Sequence, residues 1–235
     1  MYISYGFGFW LALAILIAAV LTTLLGVAIE RFLYAPLWKS GASQEAVLLS
    51  SLGFYIVTAN IVAVFAGNEN LTINRAIGQP FEILELRMTT IQWVQVTVAL
   101  LLLVGLHTAL RFTKIGLILR AIIENPELSV IHGLRLERIR IAVLAIGSLM
   151  AGVAGSLAAM DTGVAPHIGL RPMLEASICC LAVGSTSIWI QVATAITLAV
   201  LQGLTGWWLG VAWSSAATFS VVVLVFLWHR TRRSD

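Results

Sequence analysis

Six stretches of the chain stay apolar for about the length of one bilayer crossing: Phe7 to Ile29, Ala46 to Ala66, Ile91 to Leu110, Ile141 to Met160, Ile188 to Leu204 and Val211 to Trp228. A hydrocarbon core about 30 Å thick takes roughly 20 residues of helix, because every backbone N–H and C=O must find its partner inside the segment. The runs are continuous and do not alternate with period two, so they predict helices and not the strands of a barrel. A further run, about Ala176 to Gly184, is too short to span alone and reads as a tilted helix joined to its neighbour or as a re-entrant piece. The fold class expected is therefore an all-α integral membrane protein, a polytopic bundle of about six to seven transmembrane helices with one candidate re-entrant segment.

Composition sharpens this. Of 235 residues, 60% are hydrophobic and 11% charged, with a mean hydropathy of +0.97, whereas soluble domains are near half apolar and a quarter charged. The lipid bilayer is the expected surrounding, and no nucleic-acid partner is expected. Met1 to Trp10 has no basic residue and the first apolar run is too long for a typical h-region, so this segment should stay in the membrane.

The charges set the expected topology, since short loops rich in Lys and Arg stay inside. The segment from Phe112 to Arg140 holds Lys114, Arg120, Arg135, Arg138 and Arg140, and the tail holds Arg230, Arg232 and Arg233, so both belong inside. Gly67 to Thr90 sets Arg75 and Arg87 against Glu69, Glu82 and Glu85, and Asp161 to Glu175 has only Arg171, so both can lie outside. The N-terminus is then outside. The segment Glu30 to Glu45 is an inner loop in which Pro36 and Gly41 should break helix, leaving a short amphipathic turn. Glu175 and Asp161, at membrane boundaries, are expected to be solvated.

Chemistry-bearing motifs are missing. The sequence contains no GxxxxGK[ST] phosphate loop, zinc-protease pattern, nucleophile elbow or redox motif. Cys179 and Cys180 are adjacent in an apolar run and read as small packing residues. No span carries a string of acids or histidines such as ion-coupled carriers use, and His107 with Arg111 lies near an inner end. The expectation is a protein with no catalytic residue, metal or cofactor of its own. No residue is assigned to a substrate.

Two segments carry more. In IAVLAIGSLMAGVAGSLAAM small residues recur every fourth position on two adjacent faces, Gly147, Ala151, Gly155, Ala159 and Ser148, Gly152, Ser156. Such faces let backbones approach closely, which drives helix association in lipid, so this helix should sit in the interior. The second segment is the charged run LRAIIENPELSVIHGLRLERIR. A helix from about Gly116 to Glu124 would place Leu117, Arg120, Ala121 and Glu124 at three- and four-residue spacing, with Arg120 and Glu124 able to pair. Pro126 disfavours α conformation at Asn125. A second short helix can then start with Asn125 as N-cap, Pro126 first and Glu127 in the first turn, and stop at Gly133. That surface is either a solvated loop whose charges set topology or one on which a soluble partner pushes.

TKIGLILRAIIENPELSVIHGL resembles the cytoplasmic segment of ABC-importer permeases for branched-chain amino acids, the LivH-type family, at Gly116, Arg120, Ala121, Asn125, Pro126, Glu127 and Gly133. Glu30, Arg31, Pro36, Leu37, Gly53, Asn60 and Gly67 upstream, and Gly163, Pro166 and Gly169 downstream, are similar too. The resemblance covers most of the chain, and it implies a single permease domain over 1–235 with an ATPase-coupling loop at 113–140 formed by Gly116, Arg120, Ala121, Glu124, Asn125, Pro126, Glu127 and Gly133. It also implies a second, usually different, permease subunit, two cytoplasmic ATP-binding subunits that hold the ATP, a periplasmic substrate-binding protein, and a bacterial inner-membrane location. Substrates implied are branched-chain or other hydrophobic amino acids, with urea or amides as the alternative within the family.

The chain departs from the family pattern in three ways. About the first 50 to 60 family positions are missing. The Gly-rich turn survives only as Gly184, Ser185, Thr186, Ser187, Ile188, and the chain ends LWHRTRRSD, with Glu175 where a Lys is common. A shortened, non-transporting relative acting as a membrane scaffold and a secondary carrier working without ATP are the alternatives from other classes.

Overall fold

The structure is a computed structural model that describes residues 2–67, 81–83, 86–166, 168–183, 188–210 and 220. Residues 68–80 and 184–187, the basic tail and, apart from residue 220, the run Val211 to Trp228 lie outside the described residues. Two compact units are present, 1–167 and 168–235.

In the first unit, α1 (Tyr2–Ile29) passes through one π-helical turn, Glu30–Tyr34, into the short α2 (Ala35–Lys39). The expectation that Pro36 ends the helix is corrected here. Proline lacks an N–H and crowds the carbonyl four residues back, but the wider π turn just before it shifts the bonding register, with the Ala35 N–H donating to the Glu30 carbonyl. The chain stops instead at Gly41, in the left-handed region at φ +69°. Ser43, whose hydroxyl accepts from the Ala46 N–H at 3.4 Å, then starts α3 (Gln44–Ala66).

Two short antiparallel strands, β1 (Phe81–Ile83) and β2 (Leu86–Met88), pair Phe81 with Met88 and Ile83 with Leu86. Next comes α4 (Thr90–Phe112), where Gln92 Oε1 accepts from the Thr89 N–H at 3.2 Å. Two short helices, α5 (Lys114–Glu124) and α6 (Pro126–Ile131), lead into α7 (Leu136–Thr162).

The seam of the first unit is α1 against α7. Gly26 faces Ser148, and Ala19 and Thr22 face Gly152, so numbers rise along one helix as they fall along the other and the pair is antiparallel. The Thr22 hydroxyl is satisfied within its own helix by the Ala18 and Ala19 carbonyls at 2.9 and 3.0 Å, so a polar side chain sits in the seam without an unpaired donor. α4 also packs on α7, where Gln95 Nε2 donates to the Leu157 carbonyl at 2.9 Å.

The second unit contains α8 (Leu170–Val183) and α9 (Ile188–Leu209). At 1.5 Å per residue the 14 residues of α8 reach only about 21 Å, short of a bilayer crossing. Glu175 is not simply solvated as expected: its Oε1 accepts from Arg171 Nε at 3.2 Å and from Gln202 Nε2 of α9 at 3.0 Å. Among the described residues five helices are long and apolar enough to cross a membrane. The protein is all-α apart from the β1–β2 ribbon, and it is a polytopic membrane protein.

Candidate coupling site between the fourth and seventh helices

The chain turns sharply after α4. Gly116 of α5 lies against the last turn of α4 so closely that a Cβ built there would overlap the Leu110 carbonyl and stand 2.7 Å from the Leu110 Cα. Only glycine leaves room for that approach. The approach carries Arg120 back over the end of α4, where its Nη2 lies 3.5 Å from the carbonyls of Leu110 and Arg111 and its Nε 3.3 Å from that of Gly116. The last four carbonyls of a helix have no partner within it and carry partial negative charge, so a guanidinium there is favourable. This replaces the expected pairing of Arg120 with Glu124: the helix-end carbonyls compete for the same donor. Both Glu124 and Ala121 are exposed.

The α5 helix ends at Asn125, which is extended at φ −151° and ψ 96° as a residue before proline must be. Asn125 Oδ1 accepts from the Leu128 N–H at 3.1 Å and so caps α6. Pro126 is the first residue of α6 and Glu127 lies in its first turn. Gly133, at φ +80°, follows its end, and the Leu134 N–H returns to the Ser129 carbonyl at 3.1 Å, the closing bond of a Schellman cap. Helix, corner, short helix and stop thus occur where the local chemistry places them. Ser129 is buried at 6% exposure and donates to the Asn125 carbonyl at 2.9 Å. Large apolar residues exposed along α5 and α6 include Ile115, Leu117, Ile123, Leu128 and Ile131.

The small residues of α7 divide between two environments. Ser148, Gly152 and Ser156 are buried or half-buried, and Gly152 meets α1. Gly147, Ala151 and Gly155 are exposed, with open space where a side chain at either glycine would go, and Ala159 is half-buried. Within the first unit, one of the two small faces of α7 therefore meets α1 and the other is largely open.

One contact was missed from sequence. Glu30, 4% exposed, sits 3.6 Å (Oε1 to Nε) from Arg140 at the start of α7, and the Arg140 guanidinium lies 5.4 Å from the centre of the Trp38 ring. This ion contact, made without a hydrogen bond between the two facing atoms, joins the chain just after α1 to the start of α7. A carboxylate at the very end of an apolar run was the available signal, since such a charge needs a partner. Gln95 gave the same signal and finds the Leu157 carbonyl.

Membrane-length helices in antiparallel contact, with a capped corner joining two of them, define a multi-pass helical membrane protein. The chain belongs to the family described as branched-chain amino acid transport system / permease component, which it matches over residues 1–228. It is 26% identical over 216 residues to the high-affinity branched-chain amino acid transport system permease proteins LivH of Escherichia coli and of Salmonella typhimurium, covering 89% of this chain and 70% of each relative. To BraD of Pseudomonas aeruginosa, of the same description, it is 25% identical over 218 residues, covering 90% and 70%. No solved structure matches the chain at significant similarity. The protein is a membrane permease of this family.

Proposed function

We propose that this chain is the membrane-spanning permease subunit of an ATP-driven importer of branched-chain or similar hydrophobic amino acids in a bacterial inner membrane. It forms the translocation path with a second permease subunit. Two cytoplasmic ATP-binding subunits hold the nucleotide, and a periplasmic protein delivers substrate. The chain itself needs no cofactor and carries no ATPase motif.

The observation that carries the reading is the α5–α6 corner. Its joints are closed by short local contacts: Gly116 against Leu110, Arg120 on the α4 carbonyls, Asn125 on the Leu128 N–H, and Gly133 at the stop. A lever must be stiff at its joints to pass on a displacement, and each of these contacts restricts the backbone there. Leu128 and Ile131 of α6, 53% and 79% exposed, offer an apolar patch for a soluble subunit. When that subunit moves on ATP binding, α6 would carry the motion through α5 to α4 and through the Glu30–Arg140 clamp to α1 and α7. The permease then behaves as a two-state element biased by a ligand on its partner.

Proteoliposomes holding the complex, with the binding protein outside and ATP within, test the reading. Uptake of leucine, isoleucine or valine should require ATP hydrolysis. Uptake that persists without ATP and follows a proton gradient, or transport of urea in place of these amino acids, would overturn it.

A further inference from the structure

The inner ends of α1 and α7 enclose a groove of about 440 Å³ lined by Arg31, Arg135, Leu136, Glu137, Arg138 and Ile141. Three of the lining residues are arginines and one is a glutamate. All three arginines are exposed, and the ion pairs found among the described residues, Arg140 with Glu30 and Arg171 with Glu175, engage none of them. Glu30, the nearby second acid, is buried and committed to Arg140.

The depth of the groove is set by the helices that bear it. The apolar run of α1 ends at Ile29 and that of α7 begins at Ile141, so Arg31, Arg135 and Arg138 lie within two turns of the hydrocarbon boundary, at headgroup level. Ile141 gives the groove an apolar wall on the membrane side, and Leu136 lies beside Arg135 at the headgroup level. An anionic headgroup joined to a greasy body, arriving from the bilayer, matches both the charge and the depth of this groove.

We propose that this groove binds the phosphodiester of an anionic diacyl phospholipid, held by Arg31, Arg135 and Arg138 with its glycerol and upper acyl carbons against Ile141. Guanidiniums suit a phosphate because their planar N–H groups can donate in pairs. A zwitterionic lipid brings its own cation into a groove that is already basic, so charge selects for the anionic headgroup. The bound lipid would brace the Glu30–Arg140 clamp next to it. The inference needs only a membrane-spanning chain with this groove and does not depend on the transport reading.

Native mass spectrometry of the purified full chain, titrated with phosphatidylglycerol or with phosphatidylcholine of the same acyl chains, tests it. Phosphatidylglycerol should be retained preferentially. Replacing arginines with glutamine (R31Q, R135Q, R138Q) should weaken it about fivefold for each arginine removed, while phosphatidylcholine retention stays unchanged. Raising salt to about 1 M, where the Debye length is about 3 Å, should remove most of the preference. If the triple variant does not fold, R31Q and R138Q singly should each show the fivefold step. Equal retention of the two lipids would overturn the proposal. So would competition by inorganic phosphate or glycerol 3-phosphate, which would mark a site for soluble phosphate. Unchanged lipid retention with weakened binding of the ATP-binding subunit would assign the arginines to a protein partner and equally overturn it.

Discussion

Gly152→Leu is expected to prevent assembly of the first unit, whereas Gly155→Leu on the same helix is expected to be tolerated. At Gly152 even a Cβ would overlap the Thr22 hydroxyl and come within 3.0 Å of the Ala19 Cα, so a leucine must push α1 off α7. Backbone cannot yield as the tip of a flexible side chain can, and overpacking of this kind costs about 1–3 kcal/mol or more. In lipid the loss is compounded, because close backbone approach supplies the association that the hydrophobic effect supplies in water. At Gly155 nothing lies within 4 Å of the same added atom, and the change should stay within about 0.5 kcal/mol. Thermal denaturation of the purified protein followed by size-exclusion chromatography measures both. Equal loss in the two variants would mean that the α1–α7 seam does not lie where Gly152 places it.

Gly116→Leu is expected to give a different defect: a chain that inserts and folds its spans but no longer transports. The obstacle at Gly116 is the backbone of Leu110, so α5 must swing away from the end of α4 and carry Arg120 off the Leu110 and Arg111 carbonyls. Neither group takes part in the α1–α7 or α4–α7 contacts, so the amount of protein in the membrane should remain near normal. Uptake should fall roughly tenfold or more, equivalent to about 1.4 kcal/mol lost from coupling, and so should stimulation of the ATP-binding subunits by substrate-loaded binding protein. Transport at full rate would show that the α4–α5 joint transmits nothing.

Spans and corner could be read from sequence because their determinants are local. An apolar run defines a crossing wherever the rest of the chain goes, and five such runs became helices with bounds close to those expected, the first continuing through the π turn to Lys39. Asn125, Pro126 and Gly133 act on their immediate neighbours, so their cap, turn and stop follow from spacing alone. The features that sequence did not yield depend on residues far apart in the chain or on a shift of bonding register. Which small face of α7 meets α1 is decided by Gly26, Ala19 and Thr22, residues that periodicity within α7 cannot see. Arg120 could as well have paired with Glu124; its true partners follow from how tightly Gly116 lets α5 fold back. Pro36 obeys its usual rule only if the helix before it is α, and the π turn at Glu30–Tyr34 removes that condition. The Glu30–Arg140 and Glu175–Gln202 contacts join different helices, so only a fold could bring them together.

On the proposed function, the α5–α6 corner lies on the cytoplasmic face and is gripped there by the ATP-binding subunits. Ser129 is too buried to report on this, but Ile131, 79% exposed at the end of α6, is well placed. A cysteine at Ile131, in a chain with Cys179 and Cys180 replaced by alanine, can be challenged with a membrane-impermeant maleimide. The account predicts no labelling in intact spheroplasts, ready labelling in inverted vesicles stripped of the ATP-binding subunits, and protection when those subunits are added back. Labelling from the outside of intact spheroplasts would contradict it.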